Sequence, residues 1–184
     1  MGIWSILLVA VGLAMDSLAV SVSGGIVMRP FSMRQSLRLA LTMGIFQAGM
    51  TLLGWALGVG FSSYITAYDH WIAFVLLAFL GGKMIYESFG EEDHTISSFS
   101  LKTLCTLGVA TSIDALAVGV SMAFLKTGIG LPALVIGLVA FGLSLAGVWG
   151  GYRFGKIKGV NVELVGGIIL IAIGGKILVE HLCA

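Results

Sequence analysis

Six stretches of this chain, roughly residues 3–25, 36–60, 70–88, 102–125, 131–153 and 162–182, are each about twenty residues long and almost free of charge. That length of apolar helix crosses the ~30 Å hydrocarbon layer of a bilayer. There the backbone must satisfy its own hydrogen bonds, which a helix does within one segment. Composition agrees. Apolar residues make up 58% and charged residues 10% of the chain, against roughly 25% charged in a soluble domain, and mean hydropathy is +1.07. The predicted fold is an all-α membrane protein with six transmembrane helices in one domain over residues 1–184.

Several function classes fall away. A formal net charge of +1 gives no basic face for nucleic acid. Cys105 and Cys183 fit no CxxC pattern, so neither a disulfide nor a zinc site is expected. The stretch "GGYRFGKI" from Gly150 nearly spells a phosphate-binding loop, but Ile157 stands where a hydroxyl must hold magnesium. No ATP hydrolysis and no cofactor are expected. The N-terminus lacks the positive region of a signal peptide and reads as a retained span.

Basic residues set the orientation. Arg29, Arg34 and Arg38 flank the first polar break, Lys102 follows the third, and Arg153, Lys156 and Lys158 mark the fifth. The second break has no Lys or Arg and the fourth only Lys126. The odd-numbered breaks are predicted to be cytoplasmic and both termini to face outward.

The chain also repeats itself. "LAMDSLAVSVS" (Leu13 to Ser23) matches "TSIDALAVGVS" (Thr111 to Ser121), pairing Asp16 with Asp114 at an offset of 98 residues. Gly44, Gly54, Gly58 and Phe61 match Gly137, Gly147, Gly151 and Phe154 at an offset of 93, and "GGKMIYE" from Gly81 matches "GGKILVE" from Gly174. This predicts two three-helix repeats, about 1–90 and about 101–184, joined by an acidic cytoplasmic linker at about 89–101. Three spans is an odd number, so the second copy enters the membrane inverted, an architecture common among secondary transporters.

An aspartate at the centre of a membrane helix costs about 2.5–3.5 kcal/mol on insertion scales and marks a functional path by default. Symmetry would bring Asp16 and Asp114 together at mid-membrane. Small and hydroxyl residues share their helix faces: Gly12, Ala19 and Ser23 beside Asp16; Ala110, Thr111, Ala117 and Ser121 beside Asp114. Two carboxylates in a dry site ionise together only with a cation between them. Oxygen ligands suit a hard divalent ion, so Asp16 and Asp114 are the candidate metal ligands. Thr111 and Gln47, the amide well inside span 2, are the candidate neutral ones. Met15 and Met50 offer sulfur nearby, though methionine in a span more often simply packs. Asp dyads also serve intramembrane proteases, but the GxGD glycines are missing. An exporter of another small cation is the further alternative. The i,i+4 pairs Lys83/Glu87 and Lys176/Glu180 either anchor the helices at the interfaces or mark gates of the path, to which Ser23 and Ser121 would contribute. "GEEDH" from Gly90 reads as a solvated loop.

"GLAMDSLAVSVSGG", "HWIAFVLLAFLGGKMIYE" and "ATSIDALAVGVSMAFL" together resemble the bacterial manganese efflux pump family. The resemblance covers essentially the whole chain. It implies a multi-pass exporter in the bacterial inner membrane, with Mn²⁺ as substrate and Asp16 and Asp114 as its intramembrane acids. In some relatives glutamate stands where this chain has Gln47. With no nucleotide site, protons are the simplest counter-ion for the metal.

Overall fold

The computed structural model describes residues 2–62 and 99–154, with isolated helical positions at 75, 78 and 82. Five helices lie in the two continuous stretches: α1 (Ile3–Val27), α2 (Met33–Ser62), α3 (Leu101–Thr111), α4 (Ile113–Phe124) and α5 (Gly130–Phe154). No strand occurs among the described residues. Most of the expected span at 70–88, all of that at 162–182, and most of the acidic linker lie outside the described residues.

α1, α2 and α5 are each long and apolar enough to cross a bilayer. All three are apolar around most of their circumference, the pattern of a membrane helix. At 1.5 Å per residue, the 25 residues of α1 reach about 37 Å. The span expected at 102–125 differs from the sequence reading. It is two helices, α3 and α4, bent by 42° at Ser112, together long and apolar enough for one broken span or a re-entrant loop.

The ends have local causes. Ser100 caps α3, its hydroxyl accepting the Thr103 N–H at 3.2 Å. α4 stops in a Schellman turn, with Thr127 N–H on the Met122 carbonyl and Lys126 N–H on the Ala123 carbonyl. Lys126 takes the left-handed conformation there, at φ 53°.

Packing pairs helices that are distant in sequence. α1 lies along α5 and α2 along α4, whereas α1 touches α2 at only a few points. Glycines set both close seams. A Cβ on Gly147 would meet the Leu18 carbonyl and one on Gly151 the Val22 carbonyl, so α1 and α5 run in the same direction. Gly54 meets the Leu116 carbonyl and Gly58 the Val120 carbonyl, so α2 and α4 also run in the same direction. Between the two pairs, α2 crosses α5 the opposite way: Gly44 faces Gly137 and Phe141, and Gly137 faces Gly44 and Ala48. α1 therefore runs against α4. These contacts recur at the offsets of the sequence repeat. Gly54 and Gly147 are 93 residues apart and their partners Leu116 and Leu18 are 98 apart, while Gly44 and Gly137 are partners of each other.

The directions also sort the charges. Arg29, Arg34, Arg38, Lys102 and Arg153, all exposed, share one end of the bundle. There the rings of Phe31 and Tyr152 stand 4.9 Å apart, and Arg38 lines a cavity of about 310 Å³ with Phe99, Leu101 and Leu104. Lys126 is at the other end, where the Trp55 indole N–H donates to the neighbouring Thr127 carbonyl at 3.1 Å.

Candidate functional site

The break between α3 and α4 is built from two adjacent hydroxyls. The Thr111 hydroxyl donates to the Leu107 carbonyl at 3.0 Å, and the Ser112 hydroxyl donates to the Gly108 carbonyl. Side-chain bonds of this kind compete with the helical ladder and bend it. α4 then starts afresh, with Asp114 in its first turn. Asp114 is 4% exposed, and its Oδ1 accepts the Ala115 N–H at 3.1 Å. The positive end of a helix dipole favours a carboxylate there. Asp16 stands in the middle of the unbroken α1 and is half-buried.

Gln47 is 0% exposed. Its Nε2 donates to the Leu13 carbonyl at 2.9 Å, which ties α2 to α1 one turn before Asp16. Its Oε1 has no hydrogen-bond partner among the described residues. Three hydroxyls share that condition: Ser17, Ser21 and Ser144.

Two apolar clusters bracket this polar layer. One joins Val9, Ala10 and Leu13 of α1 with Ala115, Val118 and Met122 of α4 and Ile136 of α5; Met15 and Met50, both partly buried, pack against it. The other joins Val20, Met28, Leu39, Met43, Leu104 and Val148 at the arginine-rich end. Asp16, Gln47, Thr111 and Asp114 all lie between the two clusters along the helices.

Thr111 is buried, and its hydroxyl lies 3.5 Å from the Met43 sulfur. Met43, one turn before Gln47, was not expected near the site. Ser121 is buried with its hydroxyl on the Ala117 carbonyl at 2.9 Å, and Ser23 is half-buried. Ala110 corrects the expected face. It is exposed, because the break at Ser112 places it on a different helix from Asp114. Lys83, Glu87, Lys176 and Glu180 lie outside the described residues. No group of three or more His, Cys, Asp or Glu gathers among the described residues. A cation in this layer would therefore depend on the two aspartates and neutral oxygens.

The profile of the family described as "Putative manganese efflux pump" matches residues 30–178. The chain belongs to this family. Members of the manganese efflux pump family similar to it include proteins of Parabacteroides distasonis, 54% identical over 180 residues covering 96% of each chain, and Methanosarcina acetivorans, 51% identical over 176 residues covering 95% of each. One from Bacteroides fragilis is 54% identical over 183 residues, covering 95% of this chain and 94% of its own. All three are described as "Putative manganese efflux pump MntP". No solved structure matches the chain. The manganese efflux pump family is one of transporters and not of enzymes, in keeping with apolar helices around a central polar layer.

Proposed function

We propose that this protein exports Mn²⁺ from the cytoplasm across the bacterial inner membrane, with the metal held between Asp16 and Asp114 and coordinated further by Gln47 and Thr111. The observation that carries this reading is Asp114, a carboxylate 4% exposed inside a broken membrane span, in a chain of the manganese efflux family. Discontinuous helices with polar groups at the break are the recurring ion sites of secondary transporters. The unpartnered, fully buried Gln47 Oε1 supports a neutral oxygen ligand beside Asp16.

The chain is organised as six spans in two inverted three-helix repeats. Two findings support this: α1 runs against α4, and the glycine contacts recur at the repeat offsets. The arginine-rich end faces the cytoplasm and the termini face outward, as the clustering of exposed Arg29, Arg34, Arg38, Lys102 and Arg153 at one end supports.

Two ionised aspartates balance Mn²⁺, so the loaded site carries no net charge. Moving the bare ion outward against an inside-negative potential costs about 4.6 kcal/mol per 100 mV, twice the single-charge value. Protons exchanged for the metal supply the driving force. The same two acids can bind either the metal or protons, so each can displace the other at one site.

The test is export itself. In cells lacking their own exporter, the protein should lower manganese accumulation, and Asp16→Asn or Asp114→Asn should abolish that while remaining in the membrane. Normal export by both variants would refute the site.

A further inference from the structure

Buried hydroxyls in these helices follow one pattern. Those of Ser36, Thr51, Thr111, Ser112 and Ser121 each donate to the carbonyl four residues earlier. Ser17, Ser21 and Ser144 do not. Each is 0% exposed, and each hydroxyl lacks a partner among the described residues. A hydroxyl left unsatisfied in a membrane interior is unfavourable, so the three together call for a ligand.

They share one seam. Ser21 faces α5, since a Cβ on Gly147 would stand 3.0 Å from the Ser21 Cβ. Ser17 is one turn earlier on the same face of α1. Ser144 is one turn before Gly147 on α5, and the two helices run in parallel, so it stands at the level of Ser17. Leu13, whose carbonyl holds Gln47, completes the row on α1 at the spacing i, i+4, i+8. Gln47 thus reaches α1 one turn before Ser17. The repeat-equivalent positions are different: Ala115, Gly119, and Thr51, whose hydroxyl is taken by the Gln47 carbonyl at 2.7 Å. Among the described residues, the buried hydroxyls without a partner are all on α1 and α5.

The row contains no charge, so it does not suit a bare divalent ion. It suits the water of one. Mn²⁺ favours six oxygen ligands in an octahedron, and two aspartates, the Gln47 amide and the Thr111 hydroxyl leave about two positions to water. We propose that Ser17, Ser21 and Ser144 are positioning residues that hold the water molecules the metal keeps while it occupies the site. This rests on the metal-site reading above. It makes the hydrated side of the ion face the α1–α5 seam. It also assigns these serines a part in metal affinity.

The experiment uses the purified full chain in detergent with MnCl₂ as the only added metal. Binding is read from the loss of the free Mn²⁺ paramagnetic resonance signal. Bound water is read from exchangeable-proton couplings in electron–nuclear double resonance, in H₂O against D₂O. The wild type should bind with exchangeable protons coupled to the ion. Ser17→Ala and Ser144→Ala should each weaken binding about tenfold and alter those couplings, with the metal-free unfolding temperature unchanged or raised. Unchanged affinity and couplings in both variants would overturn the proposal, as would a lowered metal-free unfolding temperature, which assigns the hydroxyls to packing. A wild type that binds Mn²⁺ without coupled exchangeable protons overturns it too, leaving the metal site intact. A wild type that binds no Mn²⁺ sinks the site and this inference together.

Discussion

Gly54→Ala tests how closely the half-helix of Asp114 is held. A Cβ at position 54 would lie 2.0 Å from the Leu116 carbonyl oxygen and 3.0 Å from its Cα. Ordinary contact needs about 3.4 Å or more, so α4 must retreat from α2 by about 1.4 Å. The obstacle is backbone, which has no rotamer to change. Overpacking of this kind costs typically about 1–3 kcal/mol. Leu116 lies two residues from Asp114, so the carboxylate moves with it, and a misplacement of about 1 Å in a working site can cost about 100-fold. Export should fall by at least tenfold and the unfolding temperature should drop. Gly147→Ala, at the repeat-equivalent place, should do less harm, because its Cβ meets the mobile Leu18 Cδ1 at 2.9 Å and the Leu18 carbonyl only at 3.0 Å. Gly49→Ala, with nothing within 4 Å among the described residues, should be neutral or stabilising by up to about 1 kcal/mol. Manganese accumulation in an exporter-deficient strain, normalised to protein in the membrane, measures all three. Full export and an unchanged unfolding temperature for Gly54→Ala would refute the tight α2–α4 seam.

In a background without Cys105 and Cys183, Gly128→Cys should react with a membrane-impermeant thiol reagent added outside, and Met33→Cys should not. The reverse pattern would invert the orientation. Gln47→Ala removes a neutral ligand and one hydrogen bond of about 1 kcal/mol; it should weaken Mn²⁺ binding roughly tenfold, measured by titration, and so do less damage than either Asp→Asn change. In proteoliposomes with the membrane potential clamped, a pH gradient should drive manganese flux with protons moving the other way. Flux that ignores the pH gradient would make the protein a uniporter.

Three spans were legible within a few residues: 3–25 against Ile3–Val27, 36–60 against Met33–Ser62, and 131–153 against Gly130–Phe154. Their signal was sheer apolar length, which a bilayer reads the same way. The break at Ser112 was not legible, because no proline or glycine interrupts that run at the bend. The available cue was the adjacent pair Thr111–Ser112, whose hydroxyls reach back to carbonyls. Face arithmetic across that point assumed one straight helix and so misplaced Ala110. Asp16, Asp114 and Gln47 stood out because polar groups are costly where they sit. Ser17, Ser21 and Ser144 did not, since a serine in a membrane helix usually satisfies itself, and only coordinates reveal those that fail to.

Because α1 packs along α5 and α4 along α2, with little contact between α1 and α2, synthesis faces a delay. When α2 leaves the ribosome, the principal partners of the first two helices among the described ones are still unmade. At about 5–20 residues per second, the stretch up to the end of α5 takes roughly 5–20 s more. Through that interval Asp16, Ser17 and Gln47 sit in helices whose final neighbours do not exist, exposed to lipid, translocon or quality-control proteases. A nascent first half is therefore an intermediate to be sheltered, and separately expressed halves should survive in the membrane only when made together.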